Sequence, residues 1–400
     1  MRSILKYIFF FLFLAAGIVS ISSCTDDDPV INQGKPIVHY IRSTDPTLSD
    51  SLLVGSFMGS LVAVVGDNLE TTREMWFNDQ RATLNPNYVT PTTILVSVPS
   101  TVPTAVTDKI RFVFADGTEM LYDFKVNVPA PVLNSIKCEY VPDGDVAVLR
   151  GDFFFVPTQV IFPGDLEGEI VSLTKTEIQV KVPEGSSTGK ITIKTNFGTV
   201  KSAFLFRDDR NIILDYDTKL HETWTAPIGA GPEPPEVSGE YAYFKHVNDA
   251  AWMWTNELTM QYWATRGRGN VPVATGNIND LVFKFEVNVP EPWKAVRMEI
   301  FFGPYADDHG RDVPSTVFAR WKPWKDGPYV TDGWETISIP LTEFKYGKDD
   351  DDASEIGTRQ IENLSSLTNL VMMMFGPGSS DGSPNPVYIA FDNLRIVPKS

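Results

Sequence analysis

The chain has 400 residues, 42% hydrophobic and 12% aromatic, enough for roughly two to four domains with real cores. A formal charge of −17 repels phosphate backbones and argues against nucleic-acid binding. Two cysteines, Cys24 and Cys138, cannot build a disulfide framework, and four scattered histidines argue against a His-based metal centre. The 28 glycines and 29 prolines punctuate the chain too often for long helices, so the class that fits is all-β in several modules.

In chain order, Arg2 and Lys6 precede an apolar run from Ile8 to Val19. That run falls short of the roughly 20 residues a spanning helix needs, and it reads as a signal-peptide core. Ile21-Ser22-Ser23-Cys24 resembles a relaxed bacterial lipobox, which makes 1–23 a lipoprotein signal peptide and Cys24 the lipidated first residue. Thr25-Asp26-Asp27-Asp28 resembles the surface-export signal of Bacteroidetes-type lipoproteins. The alternative is an ordinary secretory peptide with a stray cysteine. With a lipid on Cys24, Cys138 has no disulfide partner. Residues 24–34 then form a tether, held to the membrane by buried acyl methylenes.

Two segments read alike. Val65-Gly66-Asp67-Asn68-Leu69, Trp76-Phe77, Ile94 to Pro99 and Gly117-Thr118 recur as Leu149-Arg150-Gly151-Asp152-Phe153, Ile161-Phe162, Ile178 to Pro183 and Gly198-Thr199. Gly66 to Gly151 and Phe77 to Phe162 are both 85 residues apart, the mark of tandem modules. Ile178, Val180 and Val182 alternate with Gln179 and Lys181, the period of a strand in a small sandwich. Gly66 and Gly151 are expected where the chain leaves a strand and needs a permissive backbone. Pro131-Val132-Leu133, Gly151-Asp152, Val180-Lys181-Val182-Pro183 and the closing Gly-Thr hairpin resemble an IPT/TIG immunoglobulin-like domain. The resemblance covers 130–207 well, and 35–129 with a longer opening. It implies spacers or interaction modules and no chemistry.

From Asp208 the composition shifts. Eight of nine tryptophans and eight of thirteen tyrosines lie beyond it. Leu281, Phe283, Phe285, Val287 and Val289 alternate with Lys284, Glu286 and Asn288; Val296, Met298, Ile300 and Phe302 form a second strand. Residues 208–400 suit one large jelly-roll β-sandwich. Ile213-Leu214-Asp215-Tyr216-Asp217, Gly333-Trp334-Glu335-Thr336-Ile337 and Tyr388 to Ile396 resemble jelly-roll carbohydrate-binding modules. With two preceding IPT/TIG domains and the lipobox, the chain resembles a surface glycan-binding lipoprotein of a Bacteroidetes polysaccharide-utilisation locus, ending in a xyloglucan-binding-type domain.

A flat indole or phenol matches the C–H face of a sugar ring, and polar neighbours fix its hydroxyls. Trp252 and Trp254 point to one side if they lie on a strand, roughly 7 Å apart. Tyr262-Trp263 borders the same surface in this reading. Trp321 and Trp324 flank Pro323 on a loop, and Trp293 stands between Pro292 and Lys294. These seven are the candidate glycan contacts, with core packing as the alternative for each. Trp334 and Trp76 read as core. Asp215, Asp217 and Asp392 are candidate ligands of a structural Ca²⁺, since hard oxygen donors suit that ion; no cofactor is required. Glu222, Glu257, Glu299 and Asp307 could pair as glycosidase carboxylates only at a defined separation, and no hydrolase motif is present.

The expectation is a non-catalytic protein of the outer membrane, facing outward. It would capture a polysaccharide, a neutral β-linked plant-type glycan by resemblance, for surface glycanases and an importer of the same system. The rival is an envelope adhesion or assembly protein whose aromatic surface docks another protein.

Overall fold

The computed structural model describes residues 34–48, 51–221, 226–231, 233–248, 259–263, 272–303, 317–346, 359–375 and 384–399. The protein is all-β, and its chain divides into two compact units between Val128 and Pro129.

The first unit is an immunoglobulin-like sandwich. Ile37–Ser43, Leu61–Asp67 and Thr93–Ser97 form one sheet; Gln80–Arg81, Thr72–Phe77, Lys109–Phe114 and Glu119–Asp123 form the other. Ile41, Val62, Val64, Ile94 and Val96 face Met75, Phe77, Ile110 and Phe112 across a closed core. Trp76 falls on the opposite parity of its strand. It sits half-buried on the outer surface, beneath the Arg111 guanidinium, with its indole N–H donated to Glu74 Oε2 at 2.8 Å. The expectation that it is core is therefore corrected by strand alternation.

The second unit opens with another such sandwich. Val132–Ile136, Val146–Asp152, Glu177–Lys181 and Glu169–Leu173 lie opposite Leu166–Glu167, Thr158–Phe162, Thr192–Thr195 and Gly198–Lys201. The repeat extends to local geometry. Register slips between Val38 and Tyr40 in one module and between Leu133 and Ser135 in the other, each opposite the conserved spacing of Gly66 and Gly151. A Cβ on Gly66 would stand 2.0 Å from the Ile37 carbonyl oxygen, and one on Gly151 would stand 1.9 Å from that of Val132. Close backbone approach demands these glycines, while the positive φ falls two residues later, at Asn68 (58°) and Phe153 (60°).

The remainder is a larger sandwich. Its six-stranded sheet runs Ile228–Gly229, Tyr241–Asn248, Asn385–Pro398, Leu281–Asn288, Glu335–Pro340, with Ile212–Leu214 also pairing to Asn385–Pro398. Its five-stranded sheet runs Thr259–Trp263, Asn369–Phe375, Arg297–Gly303, Val317–Trp321, Lys345–Tyr346. Phe283, Phe285, Ile300, Phe302, Met372 and Phe391 fill the space between them.

The six-stranded sheet is buried on its second face as well, because the second immunoglobulin-like module packs there. Lys284, Glu286 and Arg395 are 5%, 0% and 0% exposed. Arg395 bonds Glu286 through both terminal nitrogens (2.7 and 3.0 Å) and Glu139 of the module at 2.7 Å. Lys284 Nζ reaches the other Glu139 oxygen at 2.5 Å. Thr336 donates its hydroxyl to Glu286 at 2.9 Å and accepts the Glu139 N–H at 2.7 Å. Trp334 packs edge-on against Tyr241 at 5.5 Å within the module's own core cluster and donates its indole N–H to the Pro235 carbonyl at 2.7 Å.

Candidate functional site

Three of the aromatic residues singled out by sequence, Trp293, Trp321 and Trp324, come together in the large sandwich. The segment after Leu281–Asn288 and the segment after Val317–Trp321 run side by side there. Trp293 and Tyr329 exchange two backbone hydrogen bonds, each 2.9 Å. The Trp321 ring is edge-on to Phe285, Trp293 and Tyr329 at 5.4, 5.5 and 5.7 Å. Edge-to-face packing of this kind fixes ring orientation beyond what area burial supplies.

Trp293 is not a sugar platform. It is 0% exposed, and its indole N–H is shared between the carbonyls of Ala295 (2.7 Å) and Val296 (2.9 Å). Its neighbours Pro292 and Lys294 signalled a loop, but the backbone pairing with Tyr329 folds that loop over the core. Val296 holds φ at 66°, a costly value for a β-branched residue, and its carbonyl also accepts the Trp324 indole N–H at 3.0 Å. One strained carbonyl thus anchors two indoles.

Trp321 is the last residue of its strand rather than a loop residue, with Val317 and Ala319 on its core-facing parity. Trp324 lies on the short 3-10 turn Pro323–Asp326. Both are half-buried, packed against the core and open along one side. Lys322 and Lys325 stand beside them. Partial burial, then the nearby charges of Arg297, Arg320 and Lys325, pull the Lys322 ammonium below its usual range. The result is a rigid pair of indole edges flanked by hydrogen-bond donors.

Tyr262 lies on the edge strand with Met260 on the same parity, and its half-buried ring packs against the core instead of standing on the outer surface. Position 263 pairs with Asn369; the side chain of Trp263 lies outside the described residues, as do Trp252, Trp254, Trp224 and Cys24.

One feature escaped the sequence reading. The face of the five-stranded sheet turned away from the core carries Arg297, Glu299 and Arg320, with Phe301, Asn369, Val371 and Met373 beside them. Glu299 accepts from Arg297 at 2.9 Å and from Arg320 at 3.2 Å, and it is 2% exposed. The available signal was the alternation of these charges with Met298, Ile300 and Phe302. Of the carboxylates considered for hydrolysis, Glu299 is thus tied into ion pairs, while Glu222, Glu257 and Asp307 lie outside the described residues.

The three candidate calcium ligands do not converge. Asp215 accepts from the backbone of Thr218 and Lys219 within its own turn (2.8 and 2.6 Å). Asp217 accepts the Glu240 N–H at 3.0 Å, its carboxylate lying against Gly239. Asp392 is fully buried and accepts from the Ser238 hydroxyl and the Asn393 N–H, each at 2.7 Å. Among the described residues no group of three His, Cys, Asp or Glu side chains is placed to hold a metal ion. Burial pushes the Asp392 carboxyl well above the usual carboxylate range, with Glu286 and Asp217 adding to it.

Residues 206–398 match the family model described as the surface glycan-binding protein B xyloglucan binding domain. An IPT/TIG domain-containing protein of Bacteroides ovatus is 34% identical, with 100% of both chains covered. The crystal structure of the surface glycan-binding protein PbSGBP-B from Prevotella bryantii superposes with a TM-score of 0.67 at 26% identity, over 92% of this chain and 99% of that one. A surface glycan-binding protein B from a complex xyloglucan utilization locus in Bacteroides uniformis shares the fold at 15% identity and a TM-score of 0.50, over 91% and 100%. The chain therefore belongs to the IPT/TIG domain-containing surface glycan-binding proteins that end in a xyloglucan-binding-type domain.

Proposed function

We propose that the C-terminal sandwich binds a neutral β-linked glycan of the xyloglucan type at the bacterial surface and does no chemistry on it. The carrying observation is the coincidence of the family match at 206–398 with a fixed pair of half-open indoles, Trp321 and Trp324, bordered by Lys322 and Lys325. Pyranose faces stack on the open indole sides, and the lysine ammoniums donate to ring hydroxyls. Trp252, Trp254 and Trp263 extend the platform in this reading. Lipid on Cys24 anchors the chain in the outer membrane, facing outward, so that captured polymer is presented to surface glycanases and an importer of the same system.

Affinity electrophoresis against a polysaccharide panel tests the reading. Xyloglucan should retard the protein, and Trp324→Ala should weaken the affinity read from that retardation about fivefold, since one aromatic platform contributes about 1 kcal/mol. Trp76→Ala, in the other unit, should leave it unchanged. Retardation by no glycan, with capture of one envelope protein instead, would favour the docking rival. Release of reducing ends from any bound glycan would overturn the non-catalytic part.

A further inference from the structure

We propose that the outer face of the three-stranded sheet in the first unit rests on the lipid surface of the membrane. Of the large hydrophobic side chains exposed among the described residues, a concentrated group falls within one short stretch: Ile37, Tyr40, Leu48, Leu52, Val54, Phe57 and Leu61. Strand register explains how several of them gather. Val62 and Val64 face the core, so Leu61, Ala63 and Val65 face outward. Ala63 pairs with Arg42 on one side and Leu95 on the other, and Val65 pairs with Tyr40. Leu52 bridges to Arg42 at the sheet edge. The outer face therefore exposes Leu52, Tyr40 and Leu61, with Val65 and Leu95 half-buried and Ala63 buried on the same side. Arg42 stands in its middle, with no ion pair or side-chain hydrogen bond among the described residues.

Leu52 and Leu61 are 68% and 48% exposed, and Val54 beside them is 86% exposed. A soluble sandwich ordinarily turns polar residues to water on such a face. The occupant is set by chain length. The sheet begins at Ile37, and only the tether 24–34 separates it from Cys24. The thirteen residues from Cys24 to Ile37 reach at most about 45 Å, so a lipid on Cys24 keeps this module near the headgroups. The chemistry agrees. Leucine and tyrosine partition into the interfacial zone, and a lone guanidinium among them reaches a headgroup phosphate while its stem stays on apolar surface. The inference rests on the anchor proposed above for its geometry, yet the face can be tested without the anchor.

The chain from Thr25 onward, unlipidated and retaining every described residue, is floated with phosphatidylethanolamine–phosphatidylglycerol vesicles at millimolar lipid. The wild-type sequence should float. Leu52→Asp with Leu61→Asp should lower the floated fraction at least fivefold, with the urea midpoint of the first unit unchanged as the folding control. Arg42→Glu should lower it about threefold on these vesicles and less on neutral phosphatidylcholine. Absence of wild-type flotation, or flotation indifferent to the paired substitution, would overturn the proposal. So would a dimer in sedimentation that the same substitutions dissociate, which would assign the face to a second copy. Radiolabelled palmitate incorporation at Cys24, lost in Cys24→Ala, reads the anchor separately, so the two failures cannot be confused.

Discussion

Two sheets in this chain have a second face whose polarity runs against its exposure. The six-stranded sheet turns Lys284, Glu286, Arg395 and Asn288 away from its apolar core, and all four are buried, at 0–5% exposure. The three-stranded sheet of the first unit turns Leu52, Leu61 and Tyr40 away from its core, and they are open. In the first case another module covers the face and satisfies its charges with Glu139 and Thr336. In the second, Leu52 and Leu61 stay open while Ala63 on the same face is buried. Polarity on the outer face of a strand therefore reports the chemistry of its neighbour, and water is only one such neighbour.

The contrast is broken most severely by removing the cation at the centre of the buried face. Arg395→Met leaves Glu139 and Glu286 sharing an interior with only Lys284 to balance them. Removing one partner of a buried ion network costs about 3–5 kcal/mol. The midpoint of urea unfolding for the second unit should fall accordingly. Arg150→Ala is the matched control. Its pair with Glu177 is 3.5 Å long and exposed, so about 0–1 kcal/mol is expected. Equal effects from the two substitutions would mean that the joint between module and sandwich does not stay closed in solution.

These buried charges show where sequence reading stops. The period-2 pattern of Leu281 to Val289 was legible, and so was the inward face of Ile178, Val180 and Val182. Both follow from the alternation of side chains along a strand. Whether the polar side met water was not legible, because it depends on a module about 145 residues away in sequence, as Glu139 and Lys284 are. Trp293 failed for the same reason. Its neighbours Pro292 and Lys294 describe a loop, while its burial comes from a backbone pairing with Tyr329 that no local pattern encodes. Trp334 was legible as core, yet much of the core it joins belongs to the preceding module. The lysines beside Trp324 and the Glu299 ion pairs were visible only as letters, since their meaning rests on which strands lie side by side.

A middle-sized effect sharpens the buried side of the comparison. Asp392 is held by the Ser238 hydroxyl and the Asn393 N–H rather than by a cation, unlike Glu286, and its folded-state pKa is raised. A raised acid binds its proton more tightly when folded. Its contribution to stability is full below the unfolded value of about 4 and declines as pH rises toward the folded value. Asp392→Asn keeps an acceptor for the Asn393 N–H and removes the charge. The variant should therefore lose less stability than the wild type over the interval starting near pH 4, measured as urea midpoints across a pH series. A variant curve parallel to that of the wild type would show that Asp392 ionises as freely folded as unfolded.

The smallest effect belongs to the open face. Leu52 is 68% exposed, so Leu52→Asn removes little packing, and substitutions at such positions ordinarily shift stability by no more than about 0.5 kcal/mol in either direction. The unfolding midpoint of the first unit should stay put, and the effect should surface only in contact with lipid. That separation is what distinguishes a face kept apolar for a partner from one kept apolar for the fold. If Leu52→Asn instead lowered the unfolding free energy by about 2–5 kcal/mol, the scale of large-to-small core changes, the side chain would be packed in solution, and the outer sheet face would be a second core rather than a surface.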